Sequence, residues 1–232
     1  MAITTLGHST HEPDQFIRIC KAARVEVIVD VRSHRSSHWP WWHGEQMDRW
    51  LPAAGIGCEW AEGLGGWTER NVTDTMLPWG AARGVDLAAY TRGHFPKQRI
   101  GIPKAADQPE LWGDPDWVSG WTNQGLHDYS WYTATDGFRA ALADLVAKYG
   151  QPTQPRCAII CSELLWWKCH RSMVADVLAA AHQVAATHLT PVPANKREQA
   201  AGEPGKIRFG LHQAADRLGR YPTEVRKSWE AA

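Results

Sequence analysis

From Val25 to Val31 the chain reads Val-Glu-Val-Ile-Val-Asp-Val, a nearly continuous β-branched run that leads directly into Arg32-Ser33. Such a strand has little polar face to offer water, so it needs cover on both sides. Helices packed on both faces of a mostly parallel sheet provide that cover. The flanking sequence supports this: strand-like runs at residues 2–7, 56–60 and 156–162, and a weaker one at 187–190, alternate with helical patterns. Apolar side chains recur at helical spacing over residues 12–24, 45–54 and 138–149, and again from Met173 to Val184. The expected fold is α/β, an open and mostly parallel sheet flanked by helices, Rossmann-like and three-layered. Residues 67–128 are rich in Gly, Pro, Asp, Asn and Trp without a sustained period, and read as a long Trp-rich insertion or lid. Residues 1–190 are expected to form a single domain that includes this insertion. Residues 191–232 are then a C-terminal extension with one helix between Ile207 and Leu218.

Composition narrows the function. The 232 residues carry 25 Lys+Arg against 25 Asp+Glu, so no global positive field exists to collect phosphates or anionic lipid. No run approaches the roughly 18–20 apolar residues of a membrane span, and the first residues lack a secretory signal pattern. Five cysteines, an odd number without the spacing of a disulfide framework, point to a reducing, cytoplasmic setting. Fourteen tryptophans against five Tyr and four Phe are the compositional outlier, and eleven of them lie between Trp39 and Trp131. Trp suits either a half-buried core or a stacking surface.

In a parallel sheet ligands gather beyond the carboxyl ends of the strands. Four segments there carry functional side chains: Gly7-His8-Ser9-Thr10-His11, Asp30-Val31-Arg32-Ser33, Glu62-Gly63-Leu64-Gly65-Gly66, and Cys161-Ser162-Glu163 followed by Lys168-Cys169-His170-Arg171. Convergence of His, Asp, Arg, Glu and Cys from separate strands is what an active site requires.

The sequence resembles the bacterial and archaeal family known as domain of unknown function 488. The resemblance rests on Thr5-Leu6-Gly7-His8-Ser9-Thr10, Val29-Asp30-Val31-Arg32-Ser33, Leu64-Gly65-Gly66, the pair Tyr129/Tyr132, Cys161-Ser162-Glu163 and Cys169-His170-Arg171. It spans roughly residues 3–190 apart from the insertion. It implies an α/β fold and a shared site, and no settled reaction. The chain departs from the family pattern at His38, where an Arg commonly follows the preceding Ser.

Physical roles suggest three functions. In the first, the protein is an enzyme acting on a nucleotide or on a base exposed in single-stranded or flipped nucleic acid, by N-glycosidic hydrolysis. Glu163 is then the acid/base if desolvation raises its pKa, with His170, His8 and Asp30 as catalytic partners. Ser9, Thr10, Arg32, Ser33, Arg171, Trp39, Trp67, Tyr129 and Tyr132 bind substrate, and backbone N–H groups near Arg171 complete an anion cradle. In the second, the chain is a nucleic-acid or partner-binding module gripping through Trp39, Trp41, Trp42 and Trp67, without catalysis. In the third, Cys169 at a helix start is a nucleophile for thiol or sulfur-transfer chemistry, because that position favours thiolate. Cys161 reads as a strand residue facing the core. No zinc-type spacing, phosphate loop or dinucleotide fingerprint occurs, so neither metal nor cofactor is expected.

Overall fold

The computed structural model describes residues 3–65, 121, 124–192, 196 and 206–230. In chain order the elements are β1 (Ile3–Gly7), α1 (Pro13–Ala22), β2 (Val27–Asp30), α2 (Gly44–Ala53), β3 (Gly57–Trp60), α3 (Gln124–Tyr132), α4 (Asp136–Tyr149), β4 (Cys157–Cys161), α5 (Arg171–His182), β5 (Ala186–Val192), β6 (Lys206–Leu211), α6 (Ala215–Leu218) and α7 (Thr223–Glu230). Six strands form one open sheet in the order β3-β2-β4-β1-β5-β6. Five are mutually parallel, and only β6 runs antiparallel to its neighbour β5. The fold is therefore the expected three-layer α/β arrangement.

Alternation along the central strands divides the core in two. Ile28, Ala158, Ile160 and Leu6 face Phe16 and Ile19 of α1 and Met47 and Leu51 of α2. Val29, Cys157, Ile159 and Ile3 face the other way, toward Phe138 and Leu142 of α4, Val174 and Leu178 of α5, and Val225 and Trp229 of α7. Each such large apolar side chain taken out of water contributes about 1.5–3 kcal/mol before conformational entropy is subtracted. The helices start at identifiable signals. Pro13 sits in the first turn of α1, and the Thr135 hydroxyl accepts from the Phe138 N–H at 3.2 Å to cap α4.

Two elements depart from the sequence expectation. The C-terminal stretch holds a strand and two helices where one helix spanning 207–218 was predicted. β6 is an edge strand exposed at nearly every position, Phe209 and Leu211 included, so its sequence carries no buried periodicity. Tyr129 and Tyr132 lie on α3 itself, which begins at Gln124, inside the stretch 67–128 that showed no period, and runs past its end. Apart from Trp121 and residues 124–128, the predicted insertion falls outside the described residues, and Trp67 with it. No helix among the described residues is long and apolar enough to cross a membrane.

Candidate active site

The carboxyl ends of β1, β2 and β4 are joined by backbone hydrogen bonds. The N–H of His8 donates to the Cys161 carbonyl at 3.0 Å, that of Ser9 to Ser162 at 3.1 Å, and that of Val31 to Ile160 at 3.0 Å. At Gly7 a Cβ would stand 2.2 Å from the Glu163 carbonyl oxygen and 2.7 Å from the Leu164 Cα. Only glycine lets the loop after β4 cross so close to β1.

Asp30 and Arg32 form a buried bidentate pair at the end of β2. Arg32 Nε and Nη2 donate to Asp30 at 2.9 and 2.7 Å, and the Arg32 backbone N–H adds a third bond at 3.1 Å. The Arg32 Nη1 donates to the Trp42 carbonyl at 2.9 Å. Arg35 reaches Asp30 at 3.4 Å and holds Asp48 with both terminal nitrogens. Asp30 thus holds Arg32, and the guanidinium faces protein acceptors instead of an anion site. Loss of Asp30 would strand the buried Arg32 charge, a cost of about 3–5 kcal/mol.

His8 is buried. Its Nδ1–H donates to the Ser9 carbonyl at 3.0 Å, its ring stacks on Trp42 at 4.2 Å, and its Nε2 faces Arg32 Nη1 at 3.5 Å. Burial, reinforced by the Arg32 charge, lowers its pKa to about 3, so the ring stays neutral. Ser9 adopts a left-handed backbone, φ 47°, and Thr10 is exposed. Ser33 is buried, its backbone closely packed against Gly65.

The start of α5 carries the most reactive chemistry. The 3-10 turn Trp166–Lys168 delivers Cys169, His170 and Arg171 against the end of β4. His170 Nε2 lies 2.8 Å from the Val31 carbonyl. A carbonyl only accepts, so Nε2 carries hydrogen and Nδ1 is turned to two sulfurs, Cys169 at 3.8 Å and Cys161 at 3.9 Å. Arg171, fully buried, donates Nε–H to Cys169 Sγ at 3.3 Å and Nη2–H to the Glu163 carbonyl. Burial alone would raise the Cys169 thiol. Against it stand the Cys161 thiol, the Arg171 charge and His170, and together they hold Cys169 well below the ordinary thiol range. Cys161 is driven the other way, first by Cys169 and then by burial. The two thiols are therefore pushed in opposite directions, Cys169 toward the thiolate and Cys161 toward the protonated thiol.

Cys161 Sγ, Cys169 Sγ and His170 Nδ1 lie within 4.8 Å of one another, the one such trio of potential metal ligands found among the described residues. Sequence spacing did not reveal it, because β4 and α5 contribute from opposite sides of a loop. A zinc-type ion needs a fourth donor, and Arg171 already sets a positive charge against the Cys169 sulfur, where a divalent cation would add to it. The charge arrangement fits a thiolate better than a metal ligand set.

The other candidates are placed elsewhere. Glu163 is exposed and its carboxylate accepts from the Leu165 N–H at 3.3 Å. The desolvation needed to make it a general acid is missing, because the loop turns its carbonyl inward and its side chain outward. Tyr129 is buried beside His170, with ring centroids 5.0 Å apart, and its hydroxyl donates to the Leu64 carbonyl at 2.7 Å. Tyr132 does the same to Gly63. Both hydroxyls hold the Gly63-Leu64-Gly65 turn. Trp39 stacks on Trp41 at 5.2 Å, while Trp41 and Trp42 each donate an indole N–H to the His11 carbonyl at 2.9 Å. A pocket of about 1050 Å³ opens beyond β2 and β3, lined by His34, Arg35, Trp41, His43, Asp48 and Trp60 among others. None of the lining residues belongs to the sulfur cluster.

A family model described as Domain of unknown function DUF488 matches residues 101–178. It bears out the DUF488 resemblance. The matched segment covers about a third of the chain and ends within α5, so it takes in Cys161, Glu163, Cys169, His170 and Arg171. It begins inside the stretch read as an insertion. Neither a curated protein nor a solved structure matches the chain.

Proposed function

We propose that this chain is a thiol-dependent enzyme in which Cys169 is the nucleophile toward a small electrophile. The observation that carries this reading is the Arg171 Nε–H donated to Cys169 Sγ at 3.3 Å, with His170 Nδ1 3.8 Å from the same sulfur. A fixed cation beside the sulfur favours thiolate, the reactive form, and a helix start adds to the effect. Cys169 and Cys161 are only 3% and 8% exposed, which restricts the reactant to a small molecule.

A nucleobase substrate finds less support. Its acid/base, Glu163, is solvated, and its two anion-binding arginines are occupied by Asp30, Cys169 and backbone carbonyls. A Trp-lined binding module finds less support as well, because Trp42 is fully buried and the Trp41 and Trp42 indoles are tied to the backbone.

Peptide-resolved alkylation with iodoacetamide at neutral pH tests the proposal on the native protein. Cys58 is the internal control, because it is the least buried of the five free cysteines. Burial, with Asp48 adding to it, raises the Cys58 thiol to about 12. Cys169 is expected to label first, at least about tenfold faster than Cys58, since thiolate fraction governs the rate. Labelling of Cys58 ahead of Cys169 would overturn the assignment.

A further inference from the structure

We infer that Cys169 and Cys161 form a two-thiol redox centre that reduces a small hydroperoxide, with Cys169 attacking and Cys161 resolving. The inference rests on Cys169 being the nucleophile and extends it to a substrate class and a second reacting residue. Three observations on the geometry support it. The two sulfurs, with His170 Nδ1, lie within 4.8 Å of one another, so modest side-chain rotation brings them to bonding distance. His170 Nδ1 is turned to both, 3.9 Å from Cys161 and 3.8 Å from Cys169, and its Nε2 is fixed on the Val31 carbonyl. The near-complete burial of both sulfurs admits hydrogen peroxide or a short alkyl hydroperoxide and excludes a protein disulfide.

The chemistry balances with groups at hand and one external reductant. The Cys169 thiolate attacks the nearer peroxide oxygen, the O–O bond breaks, and the far oxygen leaves as hydroxide or alkoxide beside the Arg171 guanidinium. Cys169 becomes a sulfenic acid. Cys161 then attacks the Cys169 sulfur as its S–H proton passes through His170 Nδ1 to the departing hydroxyl. A disulfide forms and water leaves. A small dithiol reduces the disulfide, regenerating the Cys161 thiol and the Cys169 thiolate and releasing one proton. That proton neutralises the hydroxide or alkoxide of the first step. Two electrons pass from the dithiol to the peroxide in each cycle.

The test adds hydrogen peroxide in slight excess to the reduced native protein and follows it by intact-mass and peptide mass spectrometry. The expected product has lost two hydrogens, with a single disulfide mapped to Cys161–Cys169, and dithiothreitol restores the starting mass. In the Cys161→Ser protein the same addition should instead give a sulfenic acid on Cys169 that dimedone traps. Rapid alkylation of Cys169 without a Cys161–Cys169 disulfide after peroxide would overturn this inference and leave the nucleophile assignment standing. Neither alkylation nor oxidation at Cys169 would overturn both. A disulfide that forms equally well in Cys161→Ser would show that Cys161 is not the resolving thiol.

Discussion

Helix α5 carries two buried polar clusters that differ in kind. At its start His170 Nδ1 faces two sulfurs, Cys161 and Cys169, and Arg171 donates one guanidinium N–H to Cys169 alone. Further along, Asp176 accepts from His212 Nε2 at 2.8 Å, from Arg217 Nε at 2.9 Å and from the Tyr221 hydroxyl at 2.6 Å. The chain continues from His212 to His188 at 2.8 Å and from His188 to the Thr5 hydroxyl at 2.7 Å. Every ring nitrogen and carboxylate oxygen in this second cluster has a close partner, and Thr5 is wholly buried on β1. A saturated network of this kind rigidifies; it leaves no group free to react. The first cluster instead holds an electron-rich sulfur at long contact distances. The two are mechanically linked, because Trp166 stacks on His188 at 3.7 Å and belongs to the turn that delivers Cys169.

If the second cluster is structural, its loss should act on stability before it acts on the thiol. Asp176→Asn removes the charge that satisfies Arg217 and should cost about 3–5 kcal/mol. In a chain of this length that lowers the thermal midpoint by on the order of ten degrees. Below the new midpoint, Cys169 should still label ahead of Cys58. An unchanged midpoint would contradict the structural role.

Acid should weaken the loop after β1 and the second cluster together. His8 and His188 are held neutral, each lowered from 6.5 to about 3 chiefly by burial, with the Arg32 charge adding at His8 and His212 adding at His188. The unfolded chain takes up a proton on each ring below about 6.5 while the folded protein does not. Unfolding therefore binds protons, and stability present at neutral pH is lost progressively as pH falls from about 6.5 toward about 3. The combined loss is on the order of a few kcal/mol by urea titration at stepped pH. A flat profile over that window would contradict the neutral buried rings.

The smallest effect is expected at Glu163. Its carboxylate is exposed and accepts one backbone N–H, so Glu163→Gln should change stability by less than about 1 kcal/mol. A loss several times larger would mean that the carboxylate is more deeply engaged than its exposure indicates.

Much of this organisation was legible in the sequence. The β-branched runs of β1, β2 and β4 announce strands covered on both faces, and a parallel sheet then gathers His8, Asp30, Arg32 and Cys169–Arg171 at one edge. β6 was not legible, because an exposed edge strand carries no buried pattern to read. The outward turn of Glu163 was also hidden, since it depends on the close approach that Gly7 permits rather than on any property of Glu163. Cys161 was missed because it ends a wholly buried Cys-Ala-Ile-Ile-Cys strand and so looks like core. Its position as the last residue of that strand, at the edge where ligands collect, was the available signal. Arg35 and Asp48 gave none: their pairing crosses from the loop after β2 to α2.

Nucleophilic attack by Cys169 requires it to be a thiolate in the folded protein at neutral pH. The most direct measurement is the ultraviolet thiolate absorbance of the native protein minus that of Cys169→Ser, followed as pH is lowered, because it needs no reagent to reach the buried sulfur. A difference band already present at neutral pH and lost only in acid is expected. A band that appears only as the pH is raised into the range of an ordinary thiol would contradict it.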